Sequence, residues 1–191
     1  MLKYSLSREH LFNMEAIFTP NEAAAFVYIP PKRVYKEIEY KVIQPVSDFP
    51  RLSFADLVYL RALKEVDFEF SVPYRTALYQ LLVQAIDDKS STVEFAKFFI
   101  LQLNIISQEL SELISQFNEW KSHLVTDANI MGGQTVFPNH RLSVHRIGKL
   151  IERGESIQTI QEDYPYLSEL DLKFAPIYTK AYPVMGRPKQ G

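Results

Sequence analysis

Signals that start and stop helices recur so closely along this chain that they confine most of it to short helices. Thr19-Pro20-Asn21-Glu22 is a capping box with proline at the first helical position. The threonine hydroxyl and the glutamate carboxylate satisfy backbone N–H groups that a helix start leaves unpaired. Ala23 to Val27 continue that helix. Tyr28-Ile29-Pro30-Pro31 interrupts it, because proline lacks a donor and restricts the residue before it. Pro31 then opens a second helix, Lys32 to Lys41. Two short helices joined by a tight turn are a candidate helix-turn-helix. The second presents Lys32, Arg33, Tyr35, Lys36 and Lys41 to solvent. On these residues alone, a helical hairpin with a solvated charged face is the plainer account.

The punctuation continues downstream. Ser53, with Asp56 at the third helical position, caps a helix that ends near Val66. Ser71 to Ile86 has Pro73 in its first turn. Its Tyr74, Ala77, Leu78, Leu81, Leu82 and Ala85 fall at helical spacing, a stripe expected to lie in the core. Asp87 to Ser91 reads as a loop. Thr92 to Leu103, rich in β-formers and aromatics, reads as one or two strands. Ile105 to Trp120 reads as a helix with Ile106, Leu110, Leu113, Ile114 and Phe117 on one stripe. Asn129 to Gln134 is a turn, Thr135-Val136-Phe137 a short strand, and Pro138-Asn139-His140 a second turn. A helix from Ser143 to Arg153 stops at Gly154. Ser156 caps another that Pro165 ends, and Ser168 with Asp171 caps a third running toward Ala181.

The expected fold class is therefore mainly α with a small β element and two helix-turn-helix-like modules. Residues 1–90 form the N-terminal helix-turn-helix domain, 91–126 a strand-helix connector, and 127–181 a trihelical C-terminal domain. Residues 182–191 form a tail without regular structure.

Composition narrows the function classes. With 47% hydrophobic and 23% charged residues, the 191-residue chain has enough apolar material for a core. It has no cysteine, which excludes disulfides, thiolate zinc sites and a cysteine nucleophile, and suits a reducing cytoplasm. The net charge of −2 excludes an overall basic nucleic-acid binder, but the charge is uneven. Residues 67–126 are acidic, whereas Lys173 to Gly191 holds Lys173, Lys180, Arg187 and Lys189 and no acid. No apolar run approaches the roughly 18 residues of a membrane span. The best, Phe95 to Ile106, is broken by Lys97, Gln102 and Asn104. Lys3, Arg8, Glu9 and His10 precede no apolar stretch of signal-peptide type.

Catalytic chemistry is not legible. His10, His123, His140 and His145 lack metal-site spacing. Gly132-Gly133 lacks the further glycines and the Lys-Ser/Thr of a phosphate loop, and no Gly-x-Ser-x-Gly is present. Asp87-Asp88 and Glu162-Asp163 read as solvated acids. The expectation is a protein that is not an enzyme and carries no cofactor or metal.

Four segments nevertheless form a pattern: Ile130-Met131-Gly132-Gly133-Gln134-Thr135-Val136-Phe137, Arg141-Leu142-Ser143-Val144, Leu150 to Ser156, and Ile160 to Leu167 with Asp163-Tyr164-Pro165 at its centre. Together they resemble a bacterial family catalogued as domain of unknown function number 433, with its I-x-G-G-x-P-V-x-x-G-T-R-I-x-V start and G-x-S-x-x-x-I-x-x-D-Y-P-x-L centre. Asn139-His140-Arg141 stands where that family has Gly-Thr-Arg. Leu52 to Val58 resembles the DNA-binding half of VapB-type antitoxins, which carry the same C-terminal domain. Tyr182-Pro183-Val184-Met185-Gly186-Arg187-Pro188 resembles their tail. The likeness extends over about residues 17–188.

The resemblance implies the antitoxin of a type II toxin–antitoxin pair. Such a protein would inhibit a PIN-domain ribonuclease toxin and repress its own operon by binding operator DNA, as a homodimer or within a larger toxin–antitoxin assembly. The tail residues Tyr182, Pro183, Met185, Arg187 and Pro188 would then contact the toxin. Arg187 would pair with the carboxylates of its metal site. The tail's composition also fits a solvated C-terminus, or an AT-hook-like segment in which Met185 stands at the place of the first arginine. DNA contact is expected from Lys32, Arg33, Tyr35, Lys36 and Lys41. Lys173, Tyr178 and Lys180 are the corresponding residues of the C-terminal unit, which could serve dimerisation instead. The alternative function is a stand-alone bacterial transcriptional regulator without a toxin partner.

Overall fold

The computed structural model of the chain describes residues 17–45, 49–66, 70–95 and 99–184. Its helices are α1 (Pro20–Phe26), α2 (Pro31–Glu39), α3 (Phe54–Glu65), α4 (Val72–Asp87), α5 (Leu103–Ser122), α6 (Val144–Glu152), α7 (Ile157–Asp163) and α8 (Glu169–Ala181). Two antiparallel hairpins complete it. β1 (Thr92–Phe95) pairs with β2 (Phe99–Gln102), and β3 (Val125–Thr126) pairs with β4 (Thr135–Val136). The protein is mainly α with a small β element. It divides into two compact units, residues 1–113 and 114–191, with α5 running through the division.

The caps read from sequence are made. Glu22 N donates to Thr19 Oγ1 at 3.1 Å and Thr19 N donates to Glu22 Oε2 at 2.8 Å. Ser53 with Asp56 and Ser168 with Asp171 form the same reciprocal box. Each satisfies two N–H groups that otherwise lack a partner.

In the first unit, α1 packs on α2, and α4 packs on α3 and β1. An antiparallel bridge between Phe18 and Leu52 ties the segment before α1 to the segment before α3. Ala23, Val27, Val34, Leu57, Val58 and Tyr59 are fully enclosed. The apolar stripe of α4 is only partly buried, contrary to the expectation from its spacing. Leu78, Leu82 and Ala85 are buried, but Tyr74 is 57% exposed, Leu81 40% exposed, and Ala77 faces solvent. The helix is rotated so that Arg75 and Tyr79, on the other side of Leu78 and Leu82, turn inward to carboxylates. The far edge of the stripe is left outside.

In the second unit, α6 packs on α8, with α7 and β4 against α6. Phe117, Trp120 and Phe174 pack ring on ring at centroid distances of 5.6–5.7 Å. Trp120 Nε1 donates to Asp171 Oδ1 at 2.8 Å, so Asp171 caps α8 and receives the indole at once. Helix α8 continues through Pro176, which sequence reasoning passes over. Gly148 lies where α6 meets α8: a Cβ there would stand 2.6 Å from the Ala175 carbonyl oxygen and closer still to Thr179 Oγ1. The turn from β3 to β4 places Met131, Gly132 and Gly133 successively at φ 48°, 67° and 81°. That left-handed path suits glycine and accounts for the pair. Asn139 has φ 63°, so the turn keeps a left-handed residue where the resembling family has glycine, and asparagine tolerates it.

Candidate nucleic-acid interface

Helix α2 is amphipathic in an unusual sense: its inner side is held partly by a carboxylate. Val34 is fully buried and Glu37 is 5% exposed. Lys32, Arg33, Tyr35, Lys36 and, in the turn after the helix, Lys41 all face solvent, as the sequence predicts. Glu39 is the one acid among them. Tyr40 is the C-cap and Lys41 turns left-handed at φ 56°, which ends the helix.

Glu37 fixes this helix. Tyr59 Oη donates to Glu37 Oε2 at 2.8 Å, and Arg75 Nη1 donates to Glu37 Oε1 at 2.6 Å. The backbone carbonyl of Glu37 accepts from Val42 N and Ile43 N. One residue thus joins α2 to α3 and α4 and closes the turn behind it. A buried ion pair with both carboxylate oxygens bonded positions more than it stabilises, because desolvation offsets much of the attraction. The Arg75 guanidinium also lies 5.2 Å from the Tyr40 ring centroid. Sequence reasoning missed this network; its partners are 22 and 38 residues away.

Burial shifts the neighbouring acids. The Tyr59 phenol is pushed far above its ordinary value by burial, then by the charge of Glu37. Tyr79 is raised the same way by burial and by Asp56. Burial also raises the Asp56 carboxyl, against the lowering effect of its hydrogen bonds from Ser53. In the turn between α1 and α2, Tyr28 takes φ 56° and lies under Lys64, 5.2 Å from Nζ to the ring centroid. Burial raises its pKa, opposed by Arg61.

The C-terminal residues named from sequence are placed differently. Lys173 and Lys180 are exposed, and Lys173 donates to Gln116 at 2.9 Å. Tyr178 is buried and donates to Thr135 Oγ1 at 2.9 Å, so it belongs to the core of its unit. Tyr182 caps α8 and is held to the body: Lys121 Nζ donates to its hydroxyl at 2.9 Å, and His145 Nε2 contacts its carbonyl oxygen at 2.6 Å. Pro183 is exposed. Met185, Arg187 and Pro188 lie outside the described residues, as does His10. Among the described residues no group of three or more His, Cys, Asp or Glu could hold a metal ion, and no helix is long and apolar enough to cross a membrane.

His140 stacks on Tyr166 at 3.7 Å, and Arg146 Nε donates to Tyr164 Oη at 3.0 Å. These contacts join the loop before α6, α6 itself and the Tyr164-Pro165-Tyr166 turn. No curated protein and no solved structure matches the chain. Residues 124–179, which hold both hairpin β3–β4 and the three helices α6 to α8 up to Thr179, match the family model described as a protein of unknown function, DUF433.

Proposed function

We propose that the protein is an antitoxin-type regulator that binds operator DNA through α2 and holds a PIN-domain ribonuclease toxin through its tail. The observation that carries the DNA reading is the solvent face of α2. Lys32, Arg33 and Lys36 on α2, and Lys41 in the turn after it, lie beside an exposed tyrosine, and Glu37 anchors the opposite side of the helix. Phosphate contacts need cations, and register on the duplex needs a fixed helix. The toxin reading rests on the family match over 124–179 and on the acid-free composition of Lys173 to Gly191.

The test is binding of the full-length protein to duplex DNA from upstream of its own gene, with and without Arg33→Ala. Loss of one phosphate contact should weaken binding and reduce the salt slope by about one. Binding that does not depend on salt, or an unchanged Arg33→Ala protein, refutes the α2 reading. Capture of a nuclease from host lysate by wild type but not by Arg187→Glu supports the toxin arm. Specific DNA binding with no captured nuclease leaves a stand-alone regulator.

A further inference from the structure

The second unit has a charge asymmetry that neither the caps nor the core requires. On α6 and its flanks, Arg141, Arg146, Lys149 and Arg153 are all exposed, against the acids Glu152 and, just past the helix, Glu155. From residue 155 to 171 the chain holds Glu155, Glu162, Asp163, Glu169 and Asp171 and no Lys or Arg. A helix-turn-helix reading of this unit would send α8 into a groove. The carboxylates at its start and at the end of α7 would repel phosphate there. The cations instead line the outer side of α6, whose inner side is Val144, Ile147 and Gly148.

Arg146, Lys149 and Arg153 recur at i, i+3 and i+7, so they form one row about 10 Å long. Among the described residues none of these three, nor Arg141, takes part in an ion pair. Arg146 is also held in place. Its Nε donates to Tyr164 Oη, and Tyr164 packs edge-on to Tyr166, which stacks on His140. That bond uses Nε and leaves both terminal nitrogens of the guanidinium for the two oxygens of one phosphate.

From this we infer that the outer face of α6 is a second nucleic-acid contact, separate from α2, which binds the phosphate backbone of duplex DNA without reading sequence. Arg146 supplies the oriented fork, and Lys149 and Arg153 continue along the strand. The inference goes beyond the α2 reading and stands or falls apart from it.

The test uses full-length protein and a mixed-sequence DNA duplex of about 30 base pairs, titrated at several salt concentrations. Four proteins are compared: wild type, Arg146→Gln/Lys149→Gln/Arg153→Gln, Lys149→Gln/Arg153→Gln, and Lys32→Gln/Arg33→Gln/Lys36→Gln. Removing three phosphate contacts should reduce the slope of log K against log salt by about 2.7. Raising salt from about 50 to 200 mM should then cost wild type roughly forty-fold more affinity than the α6 variant. A smaller fall in slope for Lys149→Gln/Arg153→Gln, which leaves the Arg146–Tyr164 bond intact, guards against a folding defect. An α6 variant with wild-type affinity and slope overturns the inference, even if the α2 variant fails to bind and so upholds the other reading. Loss by the α6 variant of binding to single-stranded RNA, with duplex binding unchanged, also overturns it.

Discussion

Gly148→Ala should destabilise the second unit, although the same change in an isolated helix stabilises. Alanine gains about 0.5–1 kcal/mol over glycine in a helix interior. Here the new methyl meets the Ala175 carbonyl oxygen at 2.6 Å and Thr179 Oγ1 still closer. The first is backbone. The second is locked, because Thr179 donates to that same carbonyl at 2.9 Å and is buried. Neither can swing aside, so α6 and α8 must separate, and overpacking of this kind costs about 1–3 kcal/mol. Contacts this short place the cost in the upper part of that range, so the net loss after the helix gain is about 1–2 kcal/mol. For a unit of this size that lowers the melting temperature by roughly 4–16 °C. The assay is built in: Trp120 is the one tryptophan of the chain and packs on Phe174 of α8. Its fluorescence during urea or thermal unfolding reports the second unit. Adding Thr179→Ala to the variant should recover part of the loss, since the hydroxyl goes but the carbonyl stays. A Gly148→Ala protein as stable as wild type would refute the close approach of the two helices.

Two further outcomes are expected. Burial raises the Asp56 carboxyl above its ordinary value of 3.8. Its favourable contribution is therefore complete below that value and lost as pH rises through the raised pKa. Asp56→Asn should accordingly lie closest to wild type in stability at neutral pH and fall further behind as pH drops, in urea unfolding across a pH series; a gap that narrows toward acid refutes this. At Asn139, held at φ 63°, glycine should change unfolding free energy by less than about 0.5 kcal/mol. Valine should lose about 1–2 kcal/mol, because a β-branched residue resists the left-handed region; equal stability of the two variants would refute the turn geometry.

What the sequence discloses about this protein is what depends on near neighbours. Thr19 with Glu22, Ser53 with Asp56, and Ser168 with Asp171 each act over three residues, so the caps and the helix starts could be read directly. The exposed cations of α2 follow from the same local periodicity. The α4 stripe shows the limit. Spacing identifies Tyr74, Ala77 and Leu81 as one apolar edge, but only tertiary structure shows that Arg75 and Tyr79 turn inward and push that edge out. Glu37 looks in sequence like one more charge on a charged helix; its partners lie on α3 and α4. Strand β3 has two residues and exists only by pairing with Thr135 and Val136. The row Arg146, Lys149, Arg153 is present in the sequence as a helical repeat of cations, but that none of them forms an ion pair among the described residues is not.

Lys121 and His145 fix Tyr182, so the residues that follow start from a set point on the second unit. A chain spans at most about 3.3–3.6 Å per residue, so the Arg187 Cα, five residues on, lies no further than about 18 Å from the Tyr182 Cα. A partner whose site took Arg187 would therefore have to lie near the second unit. On the proposed reading, lengthening the chain between Pro183 and Met185 would loosen that demand.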